Sequence, residues 1–264
     1  MVSTGQIIGM CMAMLLPLLV AVVFYILIHR RSSKIEAGMP GAIGYGILGF
    51  LWQELIYLML IVMLTNFTGL RNLMSNNFAL TAVVYGLLCS IFVALGLYWG
   101  TYLTNQKQRS LYRSATIGLG FGIGNIGWYI LATYSMSLYY SIQINAGTFA
   151  KSEELKASIL NTSAMSMYMD ALRCILLLLI YTGVALLLGK FYLEGNKRAA
   201  WGTPILVQFF ISFTNALVQE YLPAMAARIL FYAVLACMAA VSVWTLLRWL
   251  RTGQVVLGRI SEKK

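Results

Sequence analysis

The run Ile117-Gly118-Leu119-Gly120-Phe121-Gly122-Ile123-Gly124-Asn125-Ile126-Gly127-Trp128 decides the fold. Five glycines fall within ten residues, inside an apolar stretch, 115–138, that is long enough to cross a bilayer. In water each would weaken a helix by about 1 kcal/mol relative to alanine. In lipid the backbone has no water to bond to and stays helical, and a glycine there lets a second helix approach closely. Gly118 and Gly122 are four residues apart, as are Gly120 and Gly124. The segment is therefore read as the central packing helix of a membrane bundle, with Asn125 as its one strongly polar side chain.

Composition agrees with that reading. Of 264 residues, 60% are hydrophobic and 10% charged, and the mean hydropathy is +0.79, whereas a soluble domain carries about 25% charged residues. The chain is expected to be a single integral membrane domain over 1–264, with no separate soluble part. Its net charge of +11 is read as the lysine and arginine excess that orients membrane proteins, not as a nucleic-acid footprint. Cys11, Cys89, Cys174 and Cys237 fall in four different apolar runs without a CxxC pair, which indicates neither a disulfide framework nor a zinc ribbon.

A span needs about 20 apolar residues. Seven stretches qualify, at about 7–28, 39–64, 78–102, 115–138, 165–188, 201–222 and 229–250, so the fold class is an all-α polytopic bundle. Alternate connections divide the nineteen basic residues fourteen to five, with Arg71, Lys151, Lys156, Arg173 and Arg228 on the poorer side. The bias predicts an N-terminus outside and a C-terminus in the cytoplasm. Tyr98, Trp99, Tyr102, Trp201, Trp244 and Trp249 on one side, and Tyr134, Tyr139 and Tyr140 on the other, are placed at the bilayer interfaces. The longest connection, 141–164, contains Ser152-Glu153-Glu154, a helix start because acids favour the first turn. Leu155 and Ile159 would share one face of a short interfacial helix there.

Polar groups at bilayer depth are costly, so they face the bundle interior or a cavity. Glu54 is the buried acid, and no lysine or arginine is assigned to a span at its depth. Glu54 is expected to be protonated or bonded to neutral donors such as Asn125, Gln53 or a serine. In the sixth span Gln208, Ser212 and Asn215 are spaced four and three, which sets them on one face. Glu220 lies at that span's end.

Catalytic patterns are lacking. The stretch Gly122-Ile123-Gly124-Asn125-Ile126-Gly127 matches GxGxxG literally, but a dinucleotide site needs a strand before it, and both flanks here are spanning helix. The single histidine, His29, sits beside Arg30 and Arg31, and there is no HExxH, no Ser/His pair and no GxSxG. No catalytic residue, metal or cofactor is assigned.

Three stretches resemble the YhfC-type family of bacterial intramembrane metalloproteases, distant relatives of the CAAX-processing type. The first is Phe92-Val93-Ala94-Leu95-Gly96-Leu97, where the family has two acids and an arginine at the positions of Val93, Ala94 and Leu97. The second is Gly118-Leu119-Gly120-Phe121-Gly122-Ile123-Gly124-Asn125, with Phe121 for a histidine and Asn125 for a glutamate. The third runs from Glu220 and Ala224 to Arg228, with Tyr221 for an arginine and Arg228 for a histidine. The resemblance implies a framework retained without its zinc ligands, since Phe, Val and Ala supply no lone pairs to a metal.

The function this implies is that of a non-catalytic, pseudo-protease relative in the bacterial cytoplasmic membrane that binds a membrane segment or peptide. Its partners would be the bilayer and another membrane protein or peptide. Its binding face would comprise Gly118, Gly120, Gly122 and Gly124 with Asn125, Glu54 and Asn215. The alternative is the permease subunit of an ABC-type exporter or another small-solute transporter. A third reading is an active intramembrane protease with unusual ligands: Glu54, Glu220 and a cysteine.

Overall fold

The computed structural model describes residues 1–31, 39–66, 77–102 and 110–252, and these are helical almost throughout. In chain order the helices are α1 (Thr4–Arg31), α2 (Met39–Asn66), α3 (Phe78–Tyr102), α4 (Leu111–Ala146), α5 (Glu153–Asn161), α6 (Ala164–Leu193), α7 (Lys197–Tyr221) and α8 (Ala224–Thr252). All but α5 are long and apolar enough to cross a membrane, so the protein is a seven-span, all-α membrane protein.

Two helices form the centre. In the most apolar stretch of α4, 67% of residues are buried, and in that of α6, 72%, against 22–28% in the other five. A helix buried all round is held by other helices on every side, and α4 and α6 pack on each other, on α1 and, respectively, on α2 and on α7 and α8. The glycine-rich segment is thus the central helix, and the reason is visible at each glycine. A Cβ built on Gly118 would lie 2.9 Å from Thr182 Cα, and one on Gly122 would lie 2.9 Å from Leu178 Cα. On the other face, Gly120 would meet Ile43 Cα at 2.8 Å and Gly124 would meet Phe50 Cβ at 2.9 Å. One pair of glycines seats α6 and the other seats α2.

That arrangement corrects one expectation. The glycine face is not an open binding groove, because α2 and α6 already fill it. A second correction concerns the length of α4. It starts at a Ser110 cap, whose hydroxyl accepts from Arg113 N, and runs to Gly147, where a left-handed φ of 72° stops it. Arg113, assigned from sequence to a connection, is buried in its first turn. Between Gly127 and Leu131 the helix relaxes into a π turn.

The short helix in the 141–164 connection forms as α5, with Ser152 capping Leu155 N at 3.3 Å and Glu153 paired to Lys156 at 3.2 Å. Ile159 is buried, and Leu155 is 36% exposed. The start of the chain is tied to the same end of the bundle. Gln6 Nε2 donates to the carbonyls of Leu160 and Thr162, both at 2.8 Å, and Asn145 bonds both backbone groups of Val2.

Candidate functional site

At the α5 end of the bundle, three adjoining cavities of about 510, 260 and 180 Å³ run inward between the helices. The largest is the mouth, between the start of α6, the end of α7 and the start of α8. The second follows α4 and α6 inward. The innermost is lined by Glu54 of α2, Cys89 of α3, Asn125 of α4, Tyr181 of α6 and Asn215 of α7.

Of the residues expected at a site, the structure brings Glu54, Asn125 and Asn215 into this one cavity, from three helices. Gly118, Gly120, Gly122 and Gly124 stand behind it as packing contacts. Glu54, near the middle of α2, is buried and accepts two hydrogen bonds. Gln53 Nε2 donates to Oε2 at 3.0 Å, as the sequence allowed. The second donor is the Tyr129 hydroxyl, to Oε1 at 2.6 Å, where asparagine or serine was expected. Asn125 Oδ1 instead receives the Cys174 thiol at 3.7 Å.

The shared face of α7 is real. Gln208 Nε2 donates to Ser212 Oγ at 3.2 Å and to Cys89 Sγ at 3.5 Å, while Gln208 Oε1 accepts from Tyr181 at 3.4 Å. These bonds tie α7 to α3 and α6. Gln208, Ser212 and Asn215 all line the innermost cavity.

Arg173 and Tyr134, which sequence reasoning put elsewhere, and Asp170, which it did not single out, belong to the site. Arg173 was assigned to a connection, but it lies nine residues into α6, about 14 Å along the axis at ~1.5 Å per residue. It lines all three cavities, and its guanidinium makes no hydrogen bond or ion pair among the described residues. Asp170, one turn earlier, lines two of them. Tyr134, expected at the bilayer interface, is instead buried at 5% exposure and donates to Asp170 Oδ2 at 2.6 Å. A clue was available in the pair Asp170 and Arg173, two opposite charges three apart inside a predicted span.

Tyr129 and Tyr134 therefore play matching parts, each presenting a phenol to a carboxylate. In a regular α-helix residues five apart point about 140° away from each other. The π turn between Asn125 and Tyr134 changes that angle, and both tyrosines line the second cavity. π turns are frequent at functional sites.

Beneath the innermost cavity lies an aromatic floor. Phe121 packs edge-on against Phe50 at 5.3 Å and against Tyr181 at 5.0 Å. Each of these rings is about one or two helical turns further from the mouth than the polar residue on its own helix: Asn125, Glu54 or Arg173.

Among the described residues, no three His, Cys, Asp or Glu side chains come together as metal ligands. Glu220 is exposed at the end of α7 and does not join Glu54. The described residues do not offer the three or four convergent ligands a zinc site needs.

Fold and site define a multi-span helical membrane protein with a hydrogen-bonded inner cavity around buried Glu54 that opens toward the exposed Asp170 and Arg173 at the α5 end. No protein-family model, curated protein or solved structure matches this chain.

Proposed function

We propose that this protein is a non-catalytic binding protein of the membrane, and that its ligand, a peptide or another polar chain end, enters the cavities from the α5 end. The observation that carries this reading is the convergence of Glu54, Asn125 and Asn215 from α2, α4 and α7 on one space. Buried polar groups that merely join helices fill their own gap, whereas these leave about 180 Å³ between them. The likeness to the YhfC-type framework supports a scaffold of that kind without hydrolysis. Where that resemblance calls for an acid, Val93 lines the cavity, and where it calls for a histidine, Phe121 packs against Phe50 and Tyr181, which line it. With the N-terminus outside, as the basic-residue bias argues, the mouth faces the outer side of a bacterial cytoplasmic membrane.

The test is a ligand screen on the purified full chain in nanodiscs, read by thermal stability. At least one short peptide or polar solute should raise the melting temperature. That gain should be lost in Asn125→Ala and Asn215→Ala, and the peptide should be recovered intact. Cleavage of the peptide, or a panel without any ligand, would defeat the proposal.

A second reading, a small-solute carrier, draws on one observation: the innermost cavity reaches Glu54 in mid-helix, with the rings of Phe50 and Tyr181 also in its lining. Carriers hold substrate near the bilayer midplane. Uptake of a bound solute into proteoliposomes would favour it over the first reading.

A further inference from the structure

Resting on the binding-protein reading, we propose that the cavities recognise a zwitterion, an α-amino acid or short peptide. Arg173 holds its carboxylate and Asp170 its ammonium.

Two opposite charges in the site do not neutralise each other. Asp170 and Arg173 are three apart on α6, a spacing at which acid and base ordinarily pair. Here no ion pair joins them, and Asp170 Oδ2 instead accepts from the Tyr134 hydroxyl of α4 at 2.6 Å. The other oxygen, Oδ1, has no partner among the described residues, and neither has the guanidinium of Arg173. Both residues line the two outer cavities, about 510 and 260 Å³. The site thus offers a carboxylate hydrogen-bonded through one oxygen and an unengaged guanidinium, both exposed, one helical turn apart and lining common space.

The charge set excludes simpler ligands. A phosphate dianion would meet Asp170 in both outer cavities and Glu54 in the innermost one. A bare cation would meet Arg173 in all three and Arg228 at the mouth. A neutral apolar ligand would leave the guanidinium desolvated without compensation. A ligand carrying one charge of each sign satisfies both groups. The planar guanidinium fork matches a carboxylate in a bidentate pair. A tyrosine-held carboxylate still has lone pairs for an ammonium. The amide nitrogens of Asn125 and Asn215, whose oxygens already accept from Cys174 and Gln219, remain for the peptide group or side chain.

Binding is measured on the full chain in nanodiscs with defined probes. These are the common α-amino acids singly, trialanine as the short peptide, and for each binder its N-acetylated and its C-amidated form. At least one zwitterion should bind about tenfold or more tightly than either blocked form, the worth of one charge-assisted hydrogen bond. Comparing trialanine with the free amino acids separates a peptide terminus from a free metabolite. Arg173→Gln should abolish the preference over the amide, and Asp170→Asn the preference over the N-acetyl form. Glu153→Gln, exposed on α5, should change neither. The comparison of blocked and free ligands on the wild-type chain does not depend on how the variants fold. Equal binding of blocked and free forms overturns the zwitterion proposal. So does binding of some other peptide or solute when no zwitterion binds, and in that case the binding-protein reading stands. Absence of binding by every probe and every member of the wider screen defeats both.

Discussion

The Tyr129 hydroxyl donates a 2.6 Å hydrogen bond to Glu54 Oε1 across 75 residues of chain, joining the second half of α4 to the middle of α2. The bond begins just past the last glycine that seats α2, at Gly124, and the π turn at Gly127–Leu131 carries Tyr129 to it. Close packing and a polar contact thus follow each other along one helix interface.

That bond should be measurable as a coupling energy. A double-mutant cycle with Tyr129→Phe and Glu54→Gln, read by unfolding in detergent, should give about 0.6–1.7 kcal/mol, the range of hydrogen bonds inside membrane bundles. A coupling near zero would mean that the two side chains do not meet. If Glu54→Gln leaves binding, transport and stability unchanged, the carboxylate is packing alone.

Glycines on the same helix should differ sharply. Gly120→Ala places a methyl against the Ile43 backbone, which has no side-chain freedom to yield, and should cost about 2 kcal/mol or more by forcing α2 away. Gly127→Ala has nothing within 4 Å of the added carbon and should fall within about 1 kcal/mol of wild type. Thermal unfolding of the two variants side by side decides the matter, and equal costs would contradict the seating of α2 on Gly120.

Tyr134→Phe should act on binding more than on stability. Without the phenol, Asp170 is free to close on Arg173, and the two charges then satisfy each other. Zwitterion affinity should drop about tenfold while unfolding shifts by about 1 kcal/mol. Titration of the variant with the amino acid that binds wild type checks this, and unchanged affinity would remove Tyr134 as a positioning residue.

Cavity access also reports orientation. In a background with the four native cysteines replaced by serine, Asn215→Cys at the mouth should react with a membrane-impermeant maleimide added to intact cells. Thr116→Cys, fully buried in α4, should not. Labelling of Asn215→Cys only after the cells are opened would reverse the proposed topology.

The clamp at the α5 end makes a separate prediction. Gln6→Leu removes both hydrogen bonds to the Leu160 and Thr162 carbonyls. Amide exchange across α5 should then quicken while exchange in the buried half of α4 stays slow. No change in α5 would show that Ile159 burial alone holds it.

Much of the fold is legible in the amino-acid order. Spans are read from apolar length, and the glycine run marks α4 as central because no other role suits so much glycine in lipid. Glu54 stands out as a lone acid in a long apolar run, and the α7 trio because its spacing matches one helix face. Arg173 and Asp170 escape notice because they lie close to the start of a span, where a charge reads as flanking a helix. Tyr134 escapes because a tyrosine near a span end is ordinarily an interface anchor, and Tyr129 because helical periodicity does not foresee a π turn.

The sequence by itself determined that seven helices cross a membrane and that α4 must be approached closely, since lipid demands internal backbone bonding and glycine permits contact. Only the tertiary structure decided which polar residues share a space. Most of these helices are apolar all round, so their rotation is not written in a hydrophobic stripe. It is set by which glycine meets which neighbouring backbone, and that fit turns Glu54, Arg173, Asp170 and Asn215 toward one another.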